Sequence, residues 1–346
     1  SQALKLAGKA KRIAQENELF TQNLAICELE IELLSKQFQY EEASDKIDEV
    51  KQSILILENF SKLQKVTTDC YAERLRIGTS RSEEDSERLE RYIDKGRVGN
   101  EFFPMSERAR MYQHGLKLTY TYFVGDDESS LELTKKMTDL YENNPHLIAY
   151  STIGYVGSLY NLHNAYQAKG DVKNAEKVLA RLEDSKDKYG IPTSDNIGAR
   201  VFIYSTNIKL AKWLKEDRYS DVENLILSNQ SDFKRFKSKI AKPQLYEYYF
   251  LISKLYFVKA QYKKALKFTN EILNDLKFDV RADLLSAVRL LNLLIHYELQ
   301  NDFTLDYLTT NTFNFLTKKK RLFKVENELI KFMNHHKKIS QKAEVQ

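Results

Sequence analysis

Apolar positions in residues 159–182 recur every three or four residues and form two helical stripes on either side of Gly170. The stripes consist of Leu159, Leu162 and Tyr166, then Ala175, Leu179 and Leu182. A glycine adopts the left-handed conformation that ends a helix at little cost, and an aspartate such as Asp171 can cap the helix that follows. The pattern therefore predicts two short amphipathic helices joined by a tight turn.

This pattern recurs along the chain. A second pair of stripes contains Tyr249, Ile252 and Tyr256, then Ala265 and Ile272. An aromatic residue late in each first helix sets the register, and these residues, separated by 47, 43 and 41 positions, are Tyr166, Trp213, Tyr256 and Tyr297. Recurrence of a helix-turn-helix unit predicts a stacked repeat array.

The periodicity predicts helices along nearly the whole chain. The predicted pairs are 105–123 with 128–143, 146–168 with 171–188, 194–216 with 219–238, 243–259 with 262–277, and 281–299 with 302–318, followed by a closing helix at 322–337. Residues 96–104 hold two glycines and a proline, which indicates a linker. We therefore predict a helical bundle or atypical repeats at 1–95, a repeat array at 105–338 and a disordered tail at 339–346.

Composition narrows the class of protein. Glycine (11) and proline (4) are scarce in 346 residues, and only two cysteines are present, so a disulfide framework is not expected. The first 20 residues lack the continuous apolar core of a signal peptide, and whether a segment precedes Ser1 stays open. The longest apolar stretch, 147–162, is shorter than the ~20 residues that a membrane-spanning helix needs. We expect a cytoplasmic protein without a membrane span.

Motifs of catalysis and cofactor binding are missing from the sequence. It contains no Gly-x-Gly-x-x-Gly or Gly-x-x-x-x-Gly-Lys phosphate cradle, no Gly-x-Ser-x-Gly elbow and no His-Glu-x-x-His metal pair. We therefore predict no catalytic residue, no cofactor and no metal site, and we expect that the protein is not an enzyme.

Charge is uneven along the chain. Residues 201–346 carry 26 Lys and Arg against 16 Asp and Glu, whereas residues 1–200 carry 28 against 33. The segment 233–239 interleaves two phenylalanines with four cations, which is compatible with phosphate binding. Cations that stabilise helix C-termini explain the same residues, and we favour that interpretation.

The repeating units resemble the tetratricopeptide repeat family. Leu159, Leu162, Tyr166, Ala175 and Leu179 match its pattern of a large apolar residue, leucine and tyrosine in the first helix and alanine and a bulky residue in the second. Two features depart from the family, because the period exceeds 34 residues and His163 occupies the slot of a small residue. The resemblance implies an all-α fold, a right-handed α-solenoid of antiparallel helix pairs that forms a superhelix, preceded by the N-terminal bundle.

The resemblance also implies where a ligand would bind, because first helices line a concave groove that takes an extended or helical peptide. The groove candidates are Tyr160, Asn164, Gln167, Tyr204, Asn207, Lys215, Glu247, Phe250 and Lys254. Asn164 and Lys254 fall where clamp-type members hold a peptide carboxylate. The remaining clamp positions lack the required residues, so a groove of mixed aromatic and amide character is expected.

Three functions are compatible with these features. The first is a non-catalytic protein–protein interaction scaffold, which we favour. The second is a peptide-responsive regulator in which the repeats sense a ligand and the 1–95 bundle gives the output. The third is nucleic-acid binding through the basic C-terminal half. The identity of the protein or peptide partner and the oligomeric state do not follow from the sequence.

Overall fold

The computed structural model describes residues 2–77, 83–95, 103–190, 195–275, 277–278, 281–319 and 321–344. Within them the regular structure is helical, with no strand, which confirms the predicted all-α class. The helices are α1 (Gln2–Glu16), α2 (Phe20–Ser35), α3 (Tyr40–Ile77), α4 (Glu83–Lys95), α5 (Glu107–Val124), α6 (Asp127–Asn143), α7 (Pro145–Tyr150), α8 (Thr152–Ala168), α9 (Val172–Lys188), α10 (Asp195–Lys215), α11 (Tyr219–Ser228), α12 (Gln230–Phe236), α13 (Lys242–Val258), α14 (Tyr262–Leu273), α15 (Ala282–Glu298), α16 (Asp302–Lys318) and α17 (Lys324–Glu344). Each is either too short or too polar to cross a bilayer.

The chain forms two compact units, Ser1–Ile191 and Pro192–Gln346. Helices that follow one another along the chain pack as neighbours in both units. These units do not coincide with the predicted segments 1–95 and 105–338, whose assignment as domains stays a prediction. Most of the predicted linker (96–102) lies outside the described residues. Helix α17 continues to Glu344, into the segment predicted as a disordered tail, and residues 339–344 contain no glycine or proline that would end it.

In the first unit, the long helix α3 packs against α2, α4 and α5. One apolar cluster joins Cys70 of α3, Leu89 of α4 and Leu116 of α5, and all three side chains are buried. A second cluster joins Phe60 of α3 to Ala109 of α5. Helices on the two sides of residues 96–104 therefore share a core.

A single type of turn recurs between the helices. Gly170 has a φ of 74°, and the Asp171 N–H donates to the Tyr166 carbonyl at 2.9 Å, which is the geometry of a Schellman turn. The Asp171 carboxylate also accepts from the Asn174 N–H at 3.1 Å. The predicted turn and cap are therefore confirmed. The same bond over five residues closes the turns at Ala14–Leu19, Leu34–Gln39, Thr121–Asp126, Trp213–Arg218, Tyr256–Gln261 and His296–Asn301.

The turns correct the register and two helix boundaries. In the last pair the turn begins at His296 and not at Tyr297, so the aromatic residue is displaced by one position there. The predicted helix 146–168 is broken at Ser151, whose φ of −140° and ψ of 66° are not helical. The predicted helix 219–238 is interrupted at Asn229, which lies between α11 and α12 and whose side-chain amide donates to Thr206 Oγ1 at 3.1 Å. The apolar period of the sequence therefore does not predict either interruption.

In the second unit, the first helices of successive pairs are neighbours, because α10 contacts α13 and α13 contacts α15. A core cluster links Ala265 of α14 to Leu291 and Ile295 of α15. A further cluster links Leu293 and Leu305 to Ile330 of α17, so the closing helix is packed on the last pair.

Candidate functional site

The candidate residues in the second unit have different environments. Tyr204 and Asn207 on α10 are buried, with exposed fractions of 6% and 1%. The Asn207 amide donates to the main-chain carbonyl of Gln244 at 3.1 Å, at the start of α13. Both side chains therefore lie between helices, where Asn207 joins α10 to α13.

The other candidates of this unit lie closer to solvent. Glu247 is half-buried, and its carboxylate lies 3.8 Å from the Arg281 guanidinium, so it connects α13 to the beginning of α15. Phe250 packs on the core cluster formed by α14 and α15, and the Lys254 ammonium lies 5.9 Å from its ring centroid. Lys254 and Lys215 are exposed.

In the first unit, the candidate Asn164 is exposed and lines a cavity of about 360 Å³, whereas Tyr160 and Gln167 are half-buried and lie outside its walls. Four helices form the walls. The lining residues are Tyr71 and Arg74 of α3, Leu118, Thr119 and Tyr122 of α5, Asp127 and Ser130 of α6, and Asn161, Asn164, Ala165 and Ala168 of α8. The sequence places Asn161 and Asn164 one helical turn apart on α8, which is why both reach the same cavity.

Several hydroxyl groups of this cavity bond to the protein itself. The Tyr122 hydroxyl lies 3.2 Å from Thr134 Oγ1, and the Ser130 hydroxyl donates to Thr121 Oγ1 at 2.9 Å. Burial raises the pKa of both Tyr71 and Tyr122, although the positive charge of Arg74 opposes this shift. Both phenols therefore stay protonated at neutral pH.

Other polar side chains of the cavity have few or no hydrogen-bond or ion-pair partners. Within the described part of the chain, the side chains of Arg74, Asp127 and Asn161 make no hydrogen bond or ion pair, and Asn164 has one long contact, 3.3 Å to His163 Nδ1. A guanidinium offers donors, a carboxylate offers acceptors and a primary amide offers both. This set can bind the carbonyl and N–H groups of a polypeptide together with charged groups of either sign.

Sequence reasoning identified only Asn164 among the residues that line this cavity, and it missed the contribution of α3 entirely. Tyr71 and Arg74 belong to α3, which the sequence assigns to a separate N-terminal bundle. Gly115 of α5 allows this close approach, because a Cβ at that position would lie only 2.9 Å from the Tyr71 hydroxyl. Only the packing of α3 on α5 shows that the cavity has an α3 wall.

The basic segment 233–239 is built differently from the predicted pattern. Phe236 is buried, and the ring of Phe233 stacks on Tyr248 at 4.8 Å. The aromatic side chains therefore anchor α12 on the core, while Lys234 and Arg235 are exposed. Base stacking, which nucleic-acid binding by interleaved aromatics requires, would need these rings at the surface.

A group of metal-type ligands occurs in the N-terminal helices, where Cys27, Glu30 and Glu49 lie within 4.8 Å of one another. The buried Lys11 ammonium lies 3.0 Å from Glu30 and also contacts Glu49, and Lys46 lies 2.7 Å from Glu49. Burial disfavours the Lys11 ammonium, yet the hydrogen bond to Glu30 and nearby negative charge raise its pKa. The two carboxylates are thus already neutralised by lysines.

No family model matches this chain, and searches of curated proteins and of solved structures find no match either. The residues and their geometry therefore carry the functional inference.

Proposed function

We propose that this protein is a non-catalytic interaction scaffold that binds a peptide segment of a protein partner in the cavity around Asn164. The observation that supports this is that polar side chains with few or no partners surround one cavity, namely Arg74, Asp127, Asn161 and Asn164. Apolar walls from Leu118, Ala165 and Ala168 can bury aliphatic side chains of the same peptide.

The proposal includes a tetratricopeptide-like right-handed superhelix. The recurrence of one Schellman turn between successive helices supports it. The neighbouring first helices α10, α13 and α15 also support it, because first helices line the concave face in that family. The long repeat period and His163, which is buried on α8, remain departures from the family.

A second candidate function, the peptide-responsive regulator, is favoured by the α3 wall of the cavity. A peptide that contacts both Arg74 and Asn164 would connect α3 to α8. Binding would then slow amide hydrogen exchange in α1 and α2, which the peptide does not contact, whereas a simple scaffold needs no change beyond the contacted residues.

The test is affinity capture of the tagged full chain from its native lysate, with and without nuclease treatment, compared with two cavity variants. We expect Arg74→Gln and Asn164→Ala to lose a protein partner that the wild type retains. Arg12→Gln removes an exposed arginine of α1 and is the matched control that keeps the partner. Equal recovery of the partner by all variants would contradict the proposed site, and partners released by nuclease would support nucleic-acid binding instead.

A further inference from the structure

A second cavity, of about 520 Å³, lies in the N-terminal helices, away from the Asn164 cavity. Residues of α1, α2 and α3, the turn at Glu18 and the segment before α5 form its walls. Its apolar surface comes from Ala14, Phe20, Ile56 and Met105.

The polar lining of this cavity is acidic. Its charged residues are Glu18, Asp45, Asp48 and Glu49, and no lysine or arginine is among the described lining residues. Three of these carboxylates have partners: Glu18 accepts from main-chain N–H groups of α5, Asp48 lies 2.8 Å from Lys51, and Glu49 binds Lys11 and Lys46. Asp45 is exposed and its carboxylate makes no ion pair or hydrogen bond in the described chain.

The cavity wall also contains a buried acceptor without a donor. Asn23 is 8% exposed, and its amide nitrogen donates to Ser53 Oγ at 2.9 Å. Its Oδ1 has no hydrogen-bond partner within the described residues. An unmade bond at a buried acceptor is unfavourable, so a donor that enters from the cavity would be stabilised there.

We propose that this cavity binds an alkylguanidinium group, the chemistry of an arginine side chain. The free Asp45 carboxylate attracts a cation, and the unpartnered Asn23 oxygen is a second acceptor, so a ligand with more than one N–H donor fits both. A guanidinium supplies five N–H donors in a fixed plane, whereas an ammonium is a compact, strongly hydrated charge. The aliphatic stem would lie on Phe20, Ile56 and Met105. Phe20 already lies 5.4 Å from one guanidinium, that of Arg108, and this like charge makes the binding weaker than the carboxylates alone would allow.

The site is separate from the proposed peptide cavity, so each can fail without the other. The test uses the full chain labelled with ¹³C at the methionine methyl groups. Met105 lines the cavity, and Met333 of the second unit is an internal reference. n-Butylguanidinium is titrated at low salt, with n-butylammonium as a second cation and with n-butanol and propionate as neutral and anionic probes.

We expect a saturable shift of the Met105 methyl signal with n-butylguanidinium, a weaker response to n-butylammonium, and no shift at Met333. Asp45→Asn should weaken the affinity about three- to fivefold, as loss of one partly exposed charge partner does. Asp139→Asn, which makes the same charge change on the exposed side of α6, should leave the affinity unchanged.

A comparison of two ligands identifies the source of the alkylguanidinium group. Tighter binding of a blocked Gly-Arg-Gly peptide than of n-butylguanidinium assigns the site to an arginine of a protein partner, and the reverse assigns it to a small molecule. Absence of a saturable Met105 shift, an equal response to n-butanol or propionate, or equal affinities of Asp45→Asn and Asp139→Asn would overturn the proposal. Arg74→Gln should bind the probe like the wild type, so this outcome is independent of the peptide cavity.

Discussion

The carboxylate of Glu18 accepts the main-chain N–H of Arg108 at 2.8 Å, although the two residues are 90 positions apart. Its other oxygen accepts the N–H of Glu107 at 2.6 Å, so one side chain satisfies two donors of the first turn of α5. Glu18 has a φ of 51°, in the left-handed region that non-glycine residues seldom adopt. The turn between α1 and α2 thereby fixes the start of α5.

Removing this carboxylate should destabilise the first unit. We expect Glu18→Ala to lower the free energy of unfolding by about 1–2 kcal/mol, the usual effect of losing a helix N-cap. Glu18→Gln retains one acceptor and should lose less. Glu16→Ala, an exposed neighbour on α1, is the control, and urea unfolding followed by circular dichroism is the measurement. Equal midpoints for Glu18→Ala and Glu16→Ala would contradict this role.

Two turn residues with positive φ should change stability in opposite directions when alanine and glycine are exchanged. Ala260 has a φ of 54° and is exposed, whereas the equivalent turn residue Gly170 has a φ of 74°. We expect Ala260→Gly to raise the free energy of unfolding by about 0.5–1 kcal/mol, since it removes the Cβ strain, and Gly170→Ala to lower it by a similar amount. Thermal unfolding measures both. A loss of stability in Ala260→Gly would mean that the strain is smaller than the gain in unfolded-chain entropy.

Two glycines of α8 should respond differently to alanine. A Cβ at Gly154 would overlap the hydroxyl of the buried Tyr141 and lie 2.7 Å from Ser151 Oγ, whereas a Cβ at Gly157 meets no atom within 4 Å. Gly154→Ala should therefore lower the free energy of unfolding by about 1–3 kcal/mol. Gly157→Ala should raise it by about 0.5–1 kcal/mol through helix propensity. Chemical denaturation of the two variants gives the comparison, and equal effects would refute the packing argument.

The sequence predicts local features well and long-range contacts poorly. The turn at Gly170 and Asp171 follows from the local sequence, because a glycine readily adopts the left-handed conformation and an aspartate side chain can cap the next helix. The different burial of Asn164 and Asn207 could not be predicted, since both are asparagines of a predicted first helix and both are groove candidates. Their difference arises from distant residues: the carbonyl of Gln244 covers Asn207, while α3 and α5 leave a cavity beside Asn164. The α3 wall was missed for the same reason.

This difference gives a prediction for the two asparagines. Asn207→Ala should lower the free energy of unfolding by about 1–3 kcal/mol, because it removes a buried side-chain amide and the hydrogen bond by which that amide joins α10 to α13. Asn164→Ala should change stability by less than about 0.5 kcal/mol, as is usual for exposed positions, and should reduce partner binding. Guanidinium unfolding monitored through Trp213, the only tryptophan, reports on the second unit, which contains Asn207. An unchanged midpoint for Asn207→Ala would show that its contact with α13 is dispensable.

The stability of the first unit should fall in mild acid because of His114. Burial on α5 lowers the pKa of His114 from 6.5 to about 4, with the nearby charges of Lys117, Arg110 and Lys136 acting in the same direction. Its Nδ1 has no hydrogen-bond partner within the described chain. The unfolded chain thus binds a proton at a higher pH than the folded chain does, so the contribution to stability is complete above pH 6.5 and is lost as the pH falls towards 4.

The expected loss from His114 is about 2 kcal/mol between pH 7 and pH 4.5, from the linkage of pKa and stability. His114→Gln cannot titrate and should show a flatter dependence over this interval, while other titrating groups contribute equally to both proteins. Urea unfolding at a series of pH values measures the difference between the two curves. Parallel curves would mean that His114 gains a proton as readily in the folded chain as in the unfolded chain, so its burial would not disfavour the charged form.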